Sequence, residues 1–339
     1  MPLRIDPLDP SDPKAFKAWH DCYLVAHMHR REIGSPWMLE ELRAQMLADN
    51  PGWRNIGFTG LLDETVVVTG WLEVSLRDNL QIASVEVDTH PGHRNQGHGT
   101  AMLEHLAAVA AELGRDTLVA EASYPYDGPA DGSGHPNVEF LLRRGFTLGL
   151  VDVMRVLDLP ADDGLLSKLA DEAADHHPGY TIRQFTGPVP DDIIDSFGEL
   201  VGSLITEAPM GEMDFEPEVV DAQQIRADEK VFAESGRAKY TTVALAPDGT
   251  VAAYSELVVP AHDPGRVYQW GTLAHRDHRG HRLGLATKTR NLLWLQQERP
   301  DATLLVTYNA EVNAHMIGVN EDMGFRPVER MGEFQRKPV

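Results

Sequence analysis

This chain repeats itself once, and that repeat limits its fold more than any other feature. The segments SVEVDTHPGHRNQGHGTAMLEHL (residues 84–106) and YQWGTLAHRDHRGHRLGLATKTRNLL (residues 268–293) share a plan. Each passes from a strand-like stretch through a turn rich in Arg, His and Gly into an amphipathic helical stretch. In the first, Met102, Leu103, Leu106, Val109, Ala110 and Leu113 recur at helical spacing. The flanking order is shared too. The first copy predicts a strand at 3–5, helices at 16–30 and 38–49, and strands at 55–62, 65–76 and 80–89. A helix at 100–113, a strand at 117–122, a helix at 137–144 and a strand at 151–159 follow. The middle run TVVVTGWLEVSL is rich in β-branched and aromatic residues, as half-buried strands are. The second copy predicts a strand at 180–185 and a helix at 191–205, then a long polar section containing PMGEMDFEPE (209–218). Strands at 241–246, 251–259 and 266–274, a helix at 285–297, a strand at 303–308, a helix at 314–323 and a strand at 328–335 complete it.

The expected class is α+β, in two lobes, each a mixed and mostly antiparallel sheet flanked by helices. Residues 1–160 form the first lobe and 180–339 the second. Residues 161–179, acidic and bounded by Pro and Gly, are expected as a linker carrying one helix at 165–174. At 339 residues the chain fits two domains of roughly 150 to 170 residues. Its 42% hydrophobic and 24% charged content lets both bury a core.

No apolar run is long enough for a membrane span, and MPLRIDPLDPSDPKAF lacks the layout of a signal peptide. Cys22 is the only cysteine, which excludes an intramolecular disulfide and a cysteine zinc site. A cytoplasmic protein without a membrane partner is expected, as monomer or homodimer. The net charge of −22 argues against nucleic acid, which needs clustered Lys and Arg. It suits a cationic small molecule, although an acidic surface also serves solubility alone.

Against that acidity the two turns are local exceptions. His90, His93, Arg94 and His98 cluster in one, and Arg276, Arg279, His281 and Arg282 in the other. A turn that opens a helix presents free backbone N–H groups at the positive end of the helix dipole. Glycines there let a ligand approach the backbone. A diphosphate explains both exceptions together. The histidines at 90 and 93, and at 275, 278 and 281, lie where its phosphates would sit, so no metal centre is expected.

On these residues the chain resembles the GNAT acyltransferase superfamily, whose turn reads Arg/Gln-x-x-Gly-x-Gly/Ala. Arg94-Asn95-Gln96-Gly97-His98-Gly99 matches fully. Arg279-Gly280-His281-Arg282-Leu283-Gly284 has Arg282 where the inner glycine belongs. Downstream, Asn313, Met316, Asn320, Gly324 and Phe325 keep the family's closing spacing, with Asn320 in place of its tyrosine. The first lobe keeps Gly145-Phe146 but has Leu141 at the tyrosine position. The tandem layout is similar to actinobacterial two-lobed members related to mycothiol synthase.

The resemblance implies two GNAT lobes that use acetyl-CoA, and direct transfer of its acyl group to the primary amine of a small molecule. It implies a cofactor cradle from Val87, Asp88, Thr89, Arg94, Asn95, Gln96, Gly97, His98, Gly99 and Thr100 in the first lobe. In the second lobe the corresponding residues are Leu273, Ala274, His275, Arg279, Gly280, His281, Arg282, Leu283 and Gly284, with Asn313 further on. Asn313 would equally serve as an ordinary helix cap. The reaction needs a base for the ammonium proton. Strand alternation puts Ser84, Glu86 and Asp88 on one face, and Glu86 is the family-like candidate. In the second lobe Tyr308 and Asn320 are candidates, and Glu256, Asp214 and Glu311 are possible bases. The alternative is a CoA-binding sensor or scaffold of the same fold with no transferase activity.

Overall fold

The computed structural model describes residues 2–337. The chain runs β1 (Arg4–Pro7), α1 (Pro13–His27), α2 (Leu39–Leu47), β2 (Trp53–Leu62), β3 (Thr65–Ser75), β4 (Ile82–Thr89), α3 (His98–Glu112), β5 (Thr117–Pro125), α4 (Pro136–Leu142) and β6 (Thr147–Asp158). It continues α5 (Asp163–Ala174), β7 (Thr181–Thr186), α6 (Ile194–Gly202), α7 (Leu204–Glu207), α8 (Ala222–Glu234), β8 (Arg237–Leu245), β9 (Val251–Pro260), β10 (Arg266–Ala274), α9 (Leu283–Glu298), β11 (Leu304–Ala310), α10 (Ala314–Asp322) and β12 (Arg326–Arg336). Among the described residues, no helix is long and apolar enough to cross a membrane.

The chain forms two compact units. The first comprises Met1–Ala122, Gly134–Gly149 and a return of the chain from Gly332; the second comprises Ser123–Ser133 and Leu150–Met331. In the first unit the strands lie in the order β1-β2-β3-β4-β5, antiparallel except for β4 and β5. Helix α1 starts at Pro13, earlier than residue 16, because Asp12 accepts from the amides of Lys14 and Ala15. Its inner face carries Phe16, Trp19 and Tyr23, whose rings follow one another at 5.9 and 5.8 Å. The Trp19 indole donates to the carbonyl of Phe58 at 2.8 Å and ties the helix to β2. Helix α3 buries Met102, Leu103, Leu106 and Ala110.

In the second unit the order is β6-β11-β10-β9-β8-β7, and again one pair, β10 with β11, is parallel. Residues 161–179 carry α5, close to the helix expected at 165–174, and its Leu166 and Leu169 join the core made with Leu292, Leu295 and Leu305. Two expectations change in this unit. The single helix expected at 191–205 is broken into α6 and α7 at Ser203. The polar stretch after 218 contains α8, started by Asp221, which accepts from the amide of Gln224. Its Ile225 and Val231 are buried, enough to dock a helix whose sequence is otherwise polar.

Candidate functional site

Each parallel pair parts soon after it begins. Strands β4 and β5 are in register only from Ile82 to Ser84, opposite Thr117 to Val119. Strands β10 and β11 are in register only from Arg266 to Tyr268, opposite Leu304 to Val306. The backbone of Val87, Asp88 and Thr89, and that of Leu273 and Ala274, thus lies beyond the paired stretch, with its neighbour on one side drawn away. In the second unit β10 also bulges between Gln269 and Thr272.

The loops that follow are built alike. A short 3-10 turn, Pro91–His93 or Arg276–His278, is closed by a histidine: His90 Nδ1 accepts from the amide of Gly92 at 3.2 Å, and His275 Nδ1 from that of Asp277 at 3.3 Å. These two histidines therefore have a backbone role. Then come left-handed residues, Asn95 (φ +60°) and Gly97 (φ +87°) in one loop, Gly280 (φ +87°) and Arg282 (φ +51°) in the other. Gly97 and Arg282 are the N-caps of α3 and α9, and neither offers a side-chain cap to its helix. The first amides of both helices are left for another acceptor. A Cβ at Gly99 would meet Thr89 Oγ1 at 2.9 Å and Phe140 at 3.2 Å, so any other residue there would force one of these side chains, or the approach of α3 to the end of β4, to give way. Gly284 has more room, its Cβ position lying 3.9 Å from Thr272.

The arginines behave differently. Arg94 turns inward, its Nε donating to the carbonyl of Thr89 and its Nη2 to that of Ala26, both at 3.2 Å. It fastens the loop to the ends of β4 and α1. Arg276 and Arg279 instead converge on Glu207 of α7. Arg276 Nε donates to Oε1 at 2.8 Å and Arg279 Nη2 to Oε2 at 2.7 Å. The Arg276 guanidinium foremost, with Arg279, holds the Glu207 carboxyl below its ordinary range. The rest of that loop is braced as well, with His281 Nδ1 donating to the carbonyl of His176 at 3.0 Å and the Tyr180 hydroxyl 2.9 Å from His278 Nδ1.

On the face of β4 that α1 covers, Glu86 and Asp88 bring carboxyl oxygens within 4.8 Å of each other. Trp71 stands opposite Glu86 on β3. Burial, then the charge of Glu86, pushes the Asp88 carboxyl well above its ordinary range, and burial raises Glu86 too. His27, one turn beyond Tyr23 on α1, brings Nδ1 to 3.7 Å from Glu86 Oε1. Arg31 Nη1 lies 2.8 Å from His27 Nε2. Arginine can only donate, so His27 Nε2 accepts and its proton sits on Nδ1, facing Glu86. Among the described residues His27, Glu86 and Asp88 are also the one group of three whose donor atoms lie close enough to share a cation. Buried Cys22 is next to this cluster, with its thiol pushed up to about 12 by burial and by Asp88, so it stays protonated and unreactive.

Residues 16–131 match the model of the acetyltransferase (GNAT) family. The chain has a two-lobed GNAT fold. It is similar over 100% of its length, and over 100% of the other chain, to a tandem GNAT protein from the clavulanic acid biosynthesis pathway solved without AcCoA (TM-score 0.78, 26% identity). A GCN5-related N-acetyltransferase from Sphaerobacter thermophilus matches 99% of this chain and 95% of its own at TM-score 0.64 and 13% identity. A GCN5-related glucosamine N-acetyltransferase region of a fungal multi-domain GH3 β-N-acetylglucosaminidase matches 98% of this chain and 38% of its own (0.62, 11%). The last two likenesses concern the fold alone. No curated protein matches the sequence significantly.

The GNAT lobes place the remaining predicted residues as follows. Asn95, Gln96 and Gly97 are exposed on the first loop, while His98 and Thr100 are half-buried, Thr100 accepting from Arg144 of the turn after α4. In the second lobe Asn313 caps α10, accepting from the amide of Met316 at 3.2 Å. Asn320 is fully buried, accepting from Lys288 and donating to Asn309. Tyr308 is half-buried on β11. Glu256 pairs with Lys239 at 3.0 Å and Glu311 with Arg330 at 2.8 Å. The sequence reading missed His27 and Arg31. Their signal was the stripe Phe16, Trp19, Tyr23, His27 at helical spacing, which reads as core until its last member meets a carboxylate.

Proposed function

We propose that the protein transfers an acyl group from acetyl-CoA, or a close relative, to the primary amine of a small molecule, and that the first lobe does so. The observation that carries this reading is the carboxyl pair Glu86–Asp88, with His27 beside it, at the parted end of β4. The cradle fits the cofactor: an uncapped helix start at α3, an inner glycine whose Cβ side is open space, and a strand edge freed of its neighbour. When bound, acetyl-CoA supplies an acyl group already activated as a thioester.

The chain's own groups do the rest. An amine arrives at neutral pH as an ammonium ion, and only the free amine is nucleophilic. Glu86 accepts its proton, directly or through water. Asp88 holds a proton of its own, so the pair carries about one negative charge, which also draws the cation in. His27, fixed by Arg31, keeps its Nδ1 proton towards Glu86 and shares the charge. Backbone amides of Val87–Thr89 are the nearest donors for an oxyanion.

The second lobe keeps the loop but holds its arginines on Glu207, which supports giving cofactor binding to the first lobe. A free-thiol assay with acetyl-CoA and a panel of polyamines, aminoglycosides, amino acids and cysteinyl sugars tests the reading. Thiol release that needs an amine, and that is lost in Gly97→Asp together with CoA binding, is the expected result. CoA binding with no thiol release for any acceptor would leave a sensor instead.

A further inference from the structure

The second unit buries two basic side chains that have no anion at close range. Arg155 of β6 is 4% exposed, and its Nε and Nη1 are buried without a hydrogen-bond partner. Among the described residues no carboxylate lies within ion-pair distance of it. Arg155 stands opposite Thr307 of β11, so strand geometry puts it on the face that also carries Asn309. Lys288 of α9 is 1% exposed. Its ammonium donates to Asn320 Oδ1 at 2.5 Å and lies 5.2 Å from the centre of the Phe325 ring, and the Asn320 amide donates onward to Asn309. The two cations are close enough for the charge of Arg155 to act on Lys288.

The charged groups around Arg155 do not settle the account. Tyr126, Glu321, Glu311 and Asp152 face it only through space. Glu311 is already held by Arg330. Asp152, three residues back along the strand, projects to the other side. A guanidinium and an ammonium taken out of water without an anion are among the costliest arrangements a protein can hold. Two neutral amides beside them supply polarity but no charge.

We propose that the second unit binds a small carboxylate-bearing ligand between Arg155 and Lys288, with Asn320 and Asn309 completing the polar wall. A carboxylate supplies one oxygen to each cation, and its single charge enters an acidic protein more easily than a phosphate dianion does. This site is separate from the amine chemistry assigned to the first lobe and does not depend on it.

Thermal unfolding of the full chain tests this, titrating potassium acetate, succinate or phosphate against chloride at constant ionic strength. A saturable rise in the midpoint with acetate or succinate is expected. Arg155→Gln and Lys288→Met should each weaken the apparent affinity by about tenfold or more. Without ligand, and below pH 7 where the folded Lys288 is protonated, their midpoints should equal or exceed that of the parent, because a buried charge has gone. Gly97→Asp should leave the carboxylate response intact. The proposal fails if no carboxylate outperforms chloride, if phosphate alone responds, or if both variants respond like the parent. It also fails if both variants lose much of their midpoint, since that would mean the protein's own acids already neutralise the pair.

Discussion

Gly97 and Arg282 take the same left-handed backbone conformation, φ +87° and +51°, each as the N-cap of the helix that its loop starts. The loops share out their glycines differently. One puts Asn95 and Gly97 at its two left-handed positions, the other Gly280 and Arg282. The second loop thus departs from the family pattern in sequence while keeping its backbone course.

An L-residue with a full side chain is strained there, so Arg282→Gly should stabilise the protein by about 1 kcal/mol, and Gly97→Ala should cost about the same. Denaturant midpoints at unchanged m-value check both. A destabilised Arg282→Gly would show that the Arg282 side chain makes a contact worth more than the strain.

Glu86→Gln should lower kcat by about 10²- to 10⁴-fold while CoA binding is retained. Burial raises both carboxyls of the pair, and a base works only when deprotonated. The acid limb of kcat/KM should therefore lie above the ordinary carboxylate range, with activity rising as pH increases through it. A limb at the usual carboxylate position would remove this pair from the mechanism.

Glu207→Gln should free Arg276 and Arg279 and add a second, weaker CoA site to the chain. Calorimetric titration reads the stoichiometry, which should stay at the parent's value if the loop is closed for another reason. The gained binding should weaken with salt, since both arginines are well exposed.

Burial, then Arg155, brings Lys288 down to about 7 from its usual 10.5. Between those values the unfolded chain holds a proton that the folded one lacks. Stability from this group therefore rises with pH across that window, by roughly 1.4 kcal/mol per unit. Below pH 7 the folded lysine is protonated too, and the slope vanishes. Lys288→Met should abolish the slope between pH 7 and 9, measured as the difference from the parent. Equal slopes would mean that Lys288 stays charged throughout.

The two loops and the strands before them were legible because their signals are local. A β-branched run, a glycine at a left-handed position and a carboxylate alternating with valine can each be read without knowing the rest of the fold. Glu86 and Asp88 were legible as one face for the same reason. His27, some sixty residues earlier, meets them only because α1 crosses β4, and no spacing in the sequence encodes that crossing. Glu207 escaped similarly, lying in an acidic stretch where nothing marks it as the partner of two arginines far downstream. Helix α9 carries a further feature that its sequence does not reveal: Thr287, Lys288, Thr289 and Asn291 are polar, yet all are buried.

The return of the chain at Gly332 bears on how the protein comes into being. Phe334 is fully buried, and Arg336 bonds to Glu104 and to the carbonyl of Arg144, all in the first unit. The amino-terminal unit is therefore completed by residues that are synthesised after the second unit. Removing the chain from Gly332 onward would strip contacts from the half that was made first.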